Sequence, residues 1–206
     1  MPPKAKISKK MILDTVLDIT REEGFEAVNA RGIAVRLQCS TRPIFTCYEN
    51  MDELKQEFLD FAYDFYCQFV DDYGKSADVG EYLIFPLSYI EFAQEETQLF
   101  KLLFISDMDL KMAEAEDFYR EIDNEKRARV FAESIGVELE RAKVIFLDLF
   151  LYTHGIAVLT ATKKVSLDKA RARDMLANVL AAFVGREQWD GNSREGACHE
   201  DRPVFD

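Results

Sequence analysis

The chain has 206 residues, 48% hydrophobic and 31% charged, with only 9 Gly and 5 Pro. That composition excludes a low-complexity or disordered chain and indicates a helix-rich protein long enough to bury a sizeable core. A net charge of −12 excludes a uniformly basic nucleic-acid coat. The charge is unevenly placed: from Met1 to Tyr48 eight basic residues stand against five acidic ones, a net +3 that leaves −15 for the remainder. Such an acidic body is repelled by phosphates and turns a mildly basic head toward a duplex. No apolar run approaches the roughly 18 residues of a membrane span. The basic start, Met1 to Lys10, precedes no signal-peptide core, so the expected location is cytoplasmic, without membrane contact. Cys39, Cys47, Cys67 and Cys198 form no C-x-x-C pair, and His154 and His199 are far apart, so neither a metal site nor a cofactor is expected.

Ile12, Leu13, Val16, Leu17 and Ile19 recur at helical spacing, and Gly24 stands where the helix should end. Asn29 can cap a second helix with Ala30, Ile33, Ala34 and Leu37 inward; Ser40 can cap a third that begins Thr41-Arg42-Pro43. Only Gln38 and Cys39 separate the two, which predicts a helix-turn-helix. Asn50 then caps a long fourth helix, reaching about Gly74, with Leu54, Phe58, Phe61, Phe65 and Phe69 on one stripe. Pro86 should kink or restart the next helix, Glu81 to Glu96. Further helices are predicted over Gln98 to Ile105, Ala113 to Ser134, Glu138 to Thr162 and Ser166 to Val184. Without strand-like alternation the class is all-α. It divides into a three-helix head (1–50), a larger helical body (51–185) and a polar tail (186–206).

Ile7 to Phe58 resembles the DNA-binding domain of the TetR/AcrR family of repressors. The likeness is carried by Glu23-Gly24-Phe25, Arg31-Gly32-Ile33-Ala34, Cys39-Ser40-Thr41-Arg42-Pro43-Ile44-Phe45, Tyr48 and Asn50-Met51-Asp52-Glu53-Leu54. In the body, Tyr89 to Glu96, Leu99 to Phe104 and His154 to Ala157 resemble a pattern of the family's ligand-binding halves. Two positions depart: Gln38 occupies a turn position where the family usually has Gly, and Met51 stands where many members carry a phosphate-contacting Lys.

In a helix-turn-helix the third helix enters the major groove, which makes Thr41, Arg42, Phe45 and Thr46 candidates for contact with DNA. Arg42 is the sharpest of these, because a bidentate Arg discriminates guanine. By the resemblance, Asn29 and Arg31 touch backbone or a flanking base. Tyr48 can offer its hydroxyl to a phosphate, and Lys9 and Lys10 can supply backbone charge. The plainer readings are that Phe45 and Tyr48 close the small core and that the arginines are solvated surface charge. Phe85, Tyr89, Phe92, Phe104, Phe118, Phe150 and His154 are the candidates to line an effector pocket, with ordinary core packing as the alternative. The last two helices carry more apolar surface than one chain easily buries, with Ala172, Leu176, Val179, Leu180 and Phe183 on the final one. Family members dimerise through such helices, which implies a homodimer; burial within one large core is the alternative.

The resemblance implies a repressor released from a pseudo-palindromic double-stranded DNA operator by a small apolar effector. Two other readings stand beside it. A regulator answering to a protein partner would lack a sizeable pocket in the body. A helical enzyme would need a Glu-x-x-His pair, nucleophile motif or phosphate loop, and the sequence has none.

Overall fold

The computed structural model describes residues 7–106, 114–120 and 124–185, and these contain nine α-helices and no strand. They are α1 (Lys9–Glu23), α2 (Ala30–Arg36), α3 (Ile44–Cys47), α4 (Met51–Ser76), α5 (Glu81–Glu95), α6 (Thr97–Lys101), α7 (Asn124–Ile135), α8 (Leu139–Ala161) and α9 (Lys169–Val184). The all-α class is as the periodicity predicts. The tail from residue 186 onward, with Cys198 and His199, lies outside the described residues, as do Lys4 and Lys6.

Helix α1 begins at Ser8, whose side chain accepts from the Met11 N–H, and buries Ile12, Leu13, Val16, Leu17 and Ile19. It ends at Gly24, whose φ of 90° is one that L side chains rarely adopt. Asn29 caps α2 by accepting from the Gly32 N–H. Helix α2 closes with Cys39 N–H on the Ala34 carbonyl at 2.9 Å and Gln38 N–H on the Val35 carbonyl at 3.1 Å. This paired closure places Gln38 in the left-handed region, at φ 50°. Because the Gln38 side chain is exposed, little is lost with it. A Gln38→Gly chain is therefore expected to be more stable by up to about 1 kcal/mol, read as a higher urea midpoint at unchanged slope. An equal or lower midpoint would show that the turn stores no strain.

The third helix is shorter than the sequence suggests. Its N-cap is Pro43, with no side-chain hydrogen bond, so Ser40 does not cap it. Pro43 has no N–H to give, and the preceding residues close as turns, with Ile44 N–H on the Thr41 carbonyl and Thr46 N–H on that of Arg42. Helix α4 is capped by Asn50, and its buried line is Leu54, Phe58, Ala62 and Tyr66, one residue in four. The expected stripe through Phe61, Phe65 and Phe69 lies half-buried beside that line. A helix held by neighbours on two sides buries the line between them, and Phe65 and Phe69 reach sideways to the Phe92 ring of α5.

Helix α5 runs on through Pro86, so the helix does not restart there. Proline falls early in the helix, so only the Tyr82 carbonyl loses its i→i+4 donor. Leu102–Ser106 continue α6 as a π-helical turn. The long helix expected from Ala113 is instead a 3-10 segment, Ala115–Arg120, followed by α7 from Asn124. Glu138 caps α8 and Asp168 caps α9, which begins at Lys169, three residues later than the expected start at Ser166.

Helix α5 is the centre of the body, packed against α4, α7, α8 and α9. Contrary to the sequence expectation, α8 is long and apolar enough by length and composition to cross a membrane; half of that stretch is buried inside the fold, as in the core helix of a bundle.

Candidate nucleic-acid interface and effector cleft

Between Glu26 and Glu49 the sequence holds no acidic residue, and this stretch forms the whole of α2, the turn and α3. Its three arginines differ in state. Arg36 is tied down by Glu22 at 2.7 Å and Glu23 at 2.6 Å. Arg31 and Arg42 are exposed and form no ion pair among the described residues. Phe45, 49% exposed, and Thr46 stand on the same short helix, with the Thr46 hydroxyl donating to the Arg42 carbonyl at 3.0 Å. Thr41 is half-buried at the start of that turn.

The remaining candidates already have structural work. The Asn29 side chain uses both ends, accepting from Gly32 N–H and donating to the Ala27 carbonyl, each at 2.9 Å. Lys10 pairs with Asp14 at 2.7 Å. Lys9 donates to Glu57 at 2.5 Å and lies 4.6 Å over the Tyr48 ring; the hydrogen bond to Glu57 raises its pKa. Tyr48 is only 2% exposed, in the core of the head, with its hydroxyl donating to Glu57 at 3.4 Å. Burial, then the Glu57 charge, pushes that hydroxyl above its usual range, so it stays protonated. The core reading thus accounts for Tyr48 but leaves Phe45 on the surface.

Sequence reasoning missed the joint between head and body. Arg21 of α1 donates twice to Glu96, from Nε at 2.8 Å and from Nη2, and its guanidinium lies 4.9 Å over the Phe65 ring of α4. The two charges are 75 positions apart, beyond any local pattern.

In the body, six of the seven proposed pocket residues form one aromatic cluster. Tyr89 packs on Phe104 at 5.0 Å and on Phe150 at 6.1 Å, and Phe92 on Phe104 at 6.4 Å. Phe118 meets Phe150 at 4.8 Å, and His154 stacks on Phe150 at 5.8 Å. The Tyr89 hydroxyl and His154 Nδ1 are hydrogen-bonded at 2.9 Å. Burial holds the imidazole below its ordinary pKa and the Tyr89 phenol above its own. Tyr66, fully buried against Tyr89, Phe92 and Phe104, was not among the candidates, and its hydroxyl has no hydrogen-bond partner among the described residues.

The seventh, Phe85, joins this cluster at Tyr89, 5.9 Å away, and also lines a cleft of about 280 Å³ between α4, α5, α7 and α8. Val70, Ile84, Val130 and Phe146 give the cleft an apolar wall. Lys126, Arg127 and Glu81 bring charge to it. The signal in the sequence is Asn124-Glu125-Lys126-Arg127-Ala128-Arg129, a basic run within an acidic body.

No family model matches the sequence, and no curated protein sequence does either. Among solved structures, the chain is similar to a TetR-like transcriptional regulator from Rhodococcus sp. RHA1. The TM-score is 0.58 at 14% sequence identity, over 86% of this chain and 96% of that one. The likeness thus takes in head and body together, in the same all-α arrangement, and the chain has the fold of a TetR-like transcriptional regulator.

Proposed function

We propose that this chain is a dimeric transcriptional regulator, a repressor that binds a pseudo-palindromic duplex operator and is released from it by a small-molecule effector. The observation that carries the proposal is the acid-free stretch of α2, the turn and α3, with Arg31 and Arg42 exposed and without an ion pair among the described residues, set on the TetR-like fold. Base-edge contact falls to Arg42, with Phe45, Thr41 and Thr46 beside it, and backbone contact to Arg31, Asn29, Lys9 and Lys10. Outward-facing Val144, Leu151 and Leu159 of α8, 63%, 52% and 45% exposed, supply apolar surface for a second copy, with α9 alongside. Two heads so joined address half-sites about 34 Å apart. Helix α4 provides the lever: its 26 residues span about 39 Å, and the stretch from the head to Val70 on the cleft is about 30 Å of it. An effector that prefers one placement of α4 shifts the population of head spacings, and with it operator affinity.

Selection of bound sequences from a random duplex library by the purified chain at moderate salt tests this. The expected result is a two-fold symmetric motif. No enrichment by a folded dimer, or an asymmetric motif, would overturn the reading.

A further inference from the structure

The cleft between α4, α5, α7 and α8 combines an apolar wall with charge that no described residue answers. Helix α7 carries three cations. Arg129 is paired with Glu125 at 2.8 Å, whereas Lys126 and Arg127 line the cleft and form no ion pair among the described residues. Arg127 is half-buried, and its guanidinium lies 5.1 Å over the Phe85 ring, a contact that engages a face of the ring and supplies no hydrogen-bond acceptor. Glu81, the carboxylate on the same wall, pairs with neither cation. On α4, the buried Tyr66 hydroxyl has no hydrogen-bond partner among the described residues and feels the Arg127 charge. Among the described residues, therefore, neither the Arg127 guanidinium nor the Tyr66 hydroxyl has a hydrogen-bond acceptor, in a body that is otherwise strongly acidic. The charges on the wall, two positive and one negative, leave one positive charge in excess.

From these features we infer that the cleft binds a small amphipathic monocarboxylate, its carboxylate held by Arg127 and its hydrocarbon body against Phe85, Ile84, Val130 and Phe146. A planar guanidinium matches a carboxylate with two parallel N–H donors, a geometry that Lys cannot reproduce. The volume of about 280 Å³ lies at the lower end of ligand pockets. That size selects a medium-chain or single-ring acid over a long-chain one. Lys126, exposed at the rim, attracts the anion without fixing its orientation. The ligand also touches Val70, on the helix that leads to the head.

The test is calorimetric titration of the full chain, without DNA, using octanoate, benzoate and the uncharged isostere octanamide. At least one of the acids is expected to bind at millimolar concentration or better, and octanamide about tenfold or more weaker than octanoate. Arg127→Met should weaken the acid about tenfold or more while changing octanamide affinity little; Arg127→Lys should recover only part of the loss. The proposal is overturned if neither acid binds, if octanoate and octanamide bind alike, or if both variants, folded by circular dichroism, bind the acid as wild type does. Only a final arm, release of the selected duplex by the bound acid, rests on the regulatory reading. Binding without release would uphold the anion site and remove its link to DNA.

Discussion

A Phe92→Ala chain is expected to be about 3–5 kcal/mol less stable than the wild type, the largest loss of any single truncation considered for this protein. Phe92 is fully buried on α5 and meets Tyr66 at 5.0 Å, Phe69 at 5.2 Å, and Phe65 and Phe104 at 6.4 Å. Three of those rings belong to α4, so removing the side chain opens a cavity where the connecting helix is held to the body. Beyond the lost area, each favourable ring pair is worth about 0.5–1.5 kcal/mol. With a whole domain stable by about 5–15 kcal/mol, such a loss brings the protein near its unfolding threshold. Phe92→Leu keeps most of the volume and should cost far less. Phe45→Ala, on the exposed α3, should stay within about 0.5 kcal/mol of wild type. Chemical denaturation of the three chains is the check. A Phe92→Ala chain within about 1 kcal/mol of wild type would mean that the cluster repacks and that the α4–α5 joint does not depend on this ring.

On the DNA side, Arg42→Ala is expected to weaken binding to the selected site about ten- to hundredfold, relaxing the sequence preference at one base pair of each half-site. The expectation follows from its state in the free protein. Among the described residues Arg42 has no carboxylate to leave, and it is exposed in the turn just before α3, so its guanidinium enters the groove without breaking an ion pair. Lys10 differs: it must first leave Asp14, to which it donates at 2.7 and 2.8 Å. Lys10→Ala should therefore weaken all duplexes alike, by less than Arg42→Ala, and flatten the dependence of affinity on salt by at most about one counterion. Competition binding at two salt concentrations separates these outcomes. If both substitutions weaken specific and non-specific duplexes to the same extent, the base-reading role of Arg42 is lost.

Much of the fold is legible in the sequence because it rests on interactions within a few residues. The caps at Asn29 and Asn50, the stop at Gly24 and the apolar stripe of α1 each depend on neighbours one to four positions away. Gln38 at its left-handed position belongs to the same class, since the closure that demands a positive φ is made by the last turn of α2. The short head, with Arg31 and Arg42 on its acid-free stretch, is visible for the same reason. Where the local signal is weak, as at Pro43 and over Ala115–Arg120, expected helices shorten or become 3-10 segments. Nothing nearby compensates there for a missing N–H or fixes the start of a helix.

What only the tertiary structure decided are the matters of facing and pairing between distant segments. The periodicity of α4 allowed a stripe through Phe61, Phe65 and Phe69; its position between neighbouring helices put Ala62 and Tyr66 inside instead. Composition offered the aromatic residues of the body as a set, and packing joined Tyr89 to His154 and Phe92 to α4 while placing Phe85 at a cleft. Charge along the chain marked Arg21, Lys9 and Arg127 alike as basic, yet Glu96 and Glu57 answer the first two and, among the described residues, no carboxylate answers the third. A helix repeats its own pattern every 3.6 residues, and that alone does not say which helix it will meet. Which charges find partners is set by long-range packing, and the arginines that have no ion pair among the described residues, Arg31 on α2, Arg42 before α3 and Arg127 on α7, emerge only when the chain is folded.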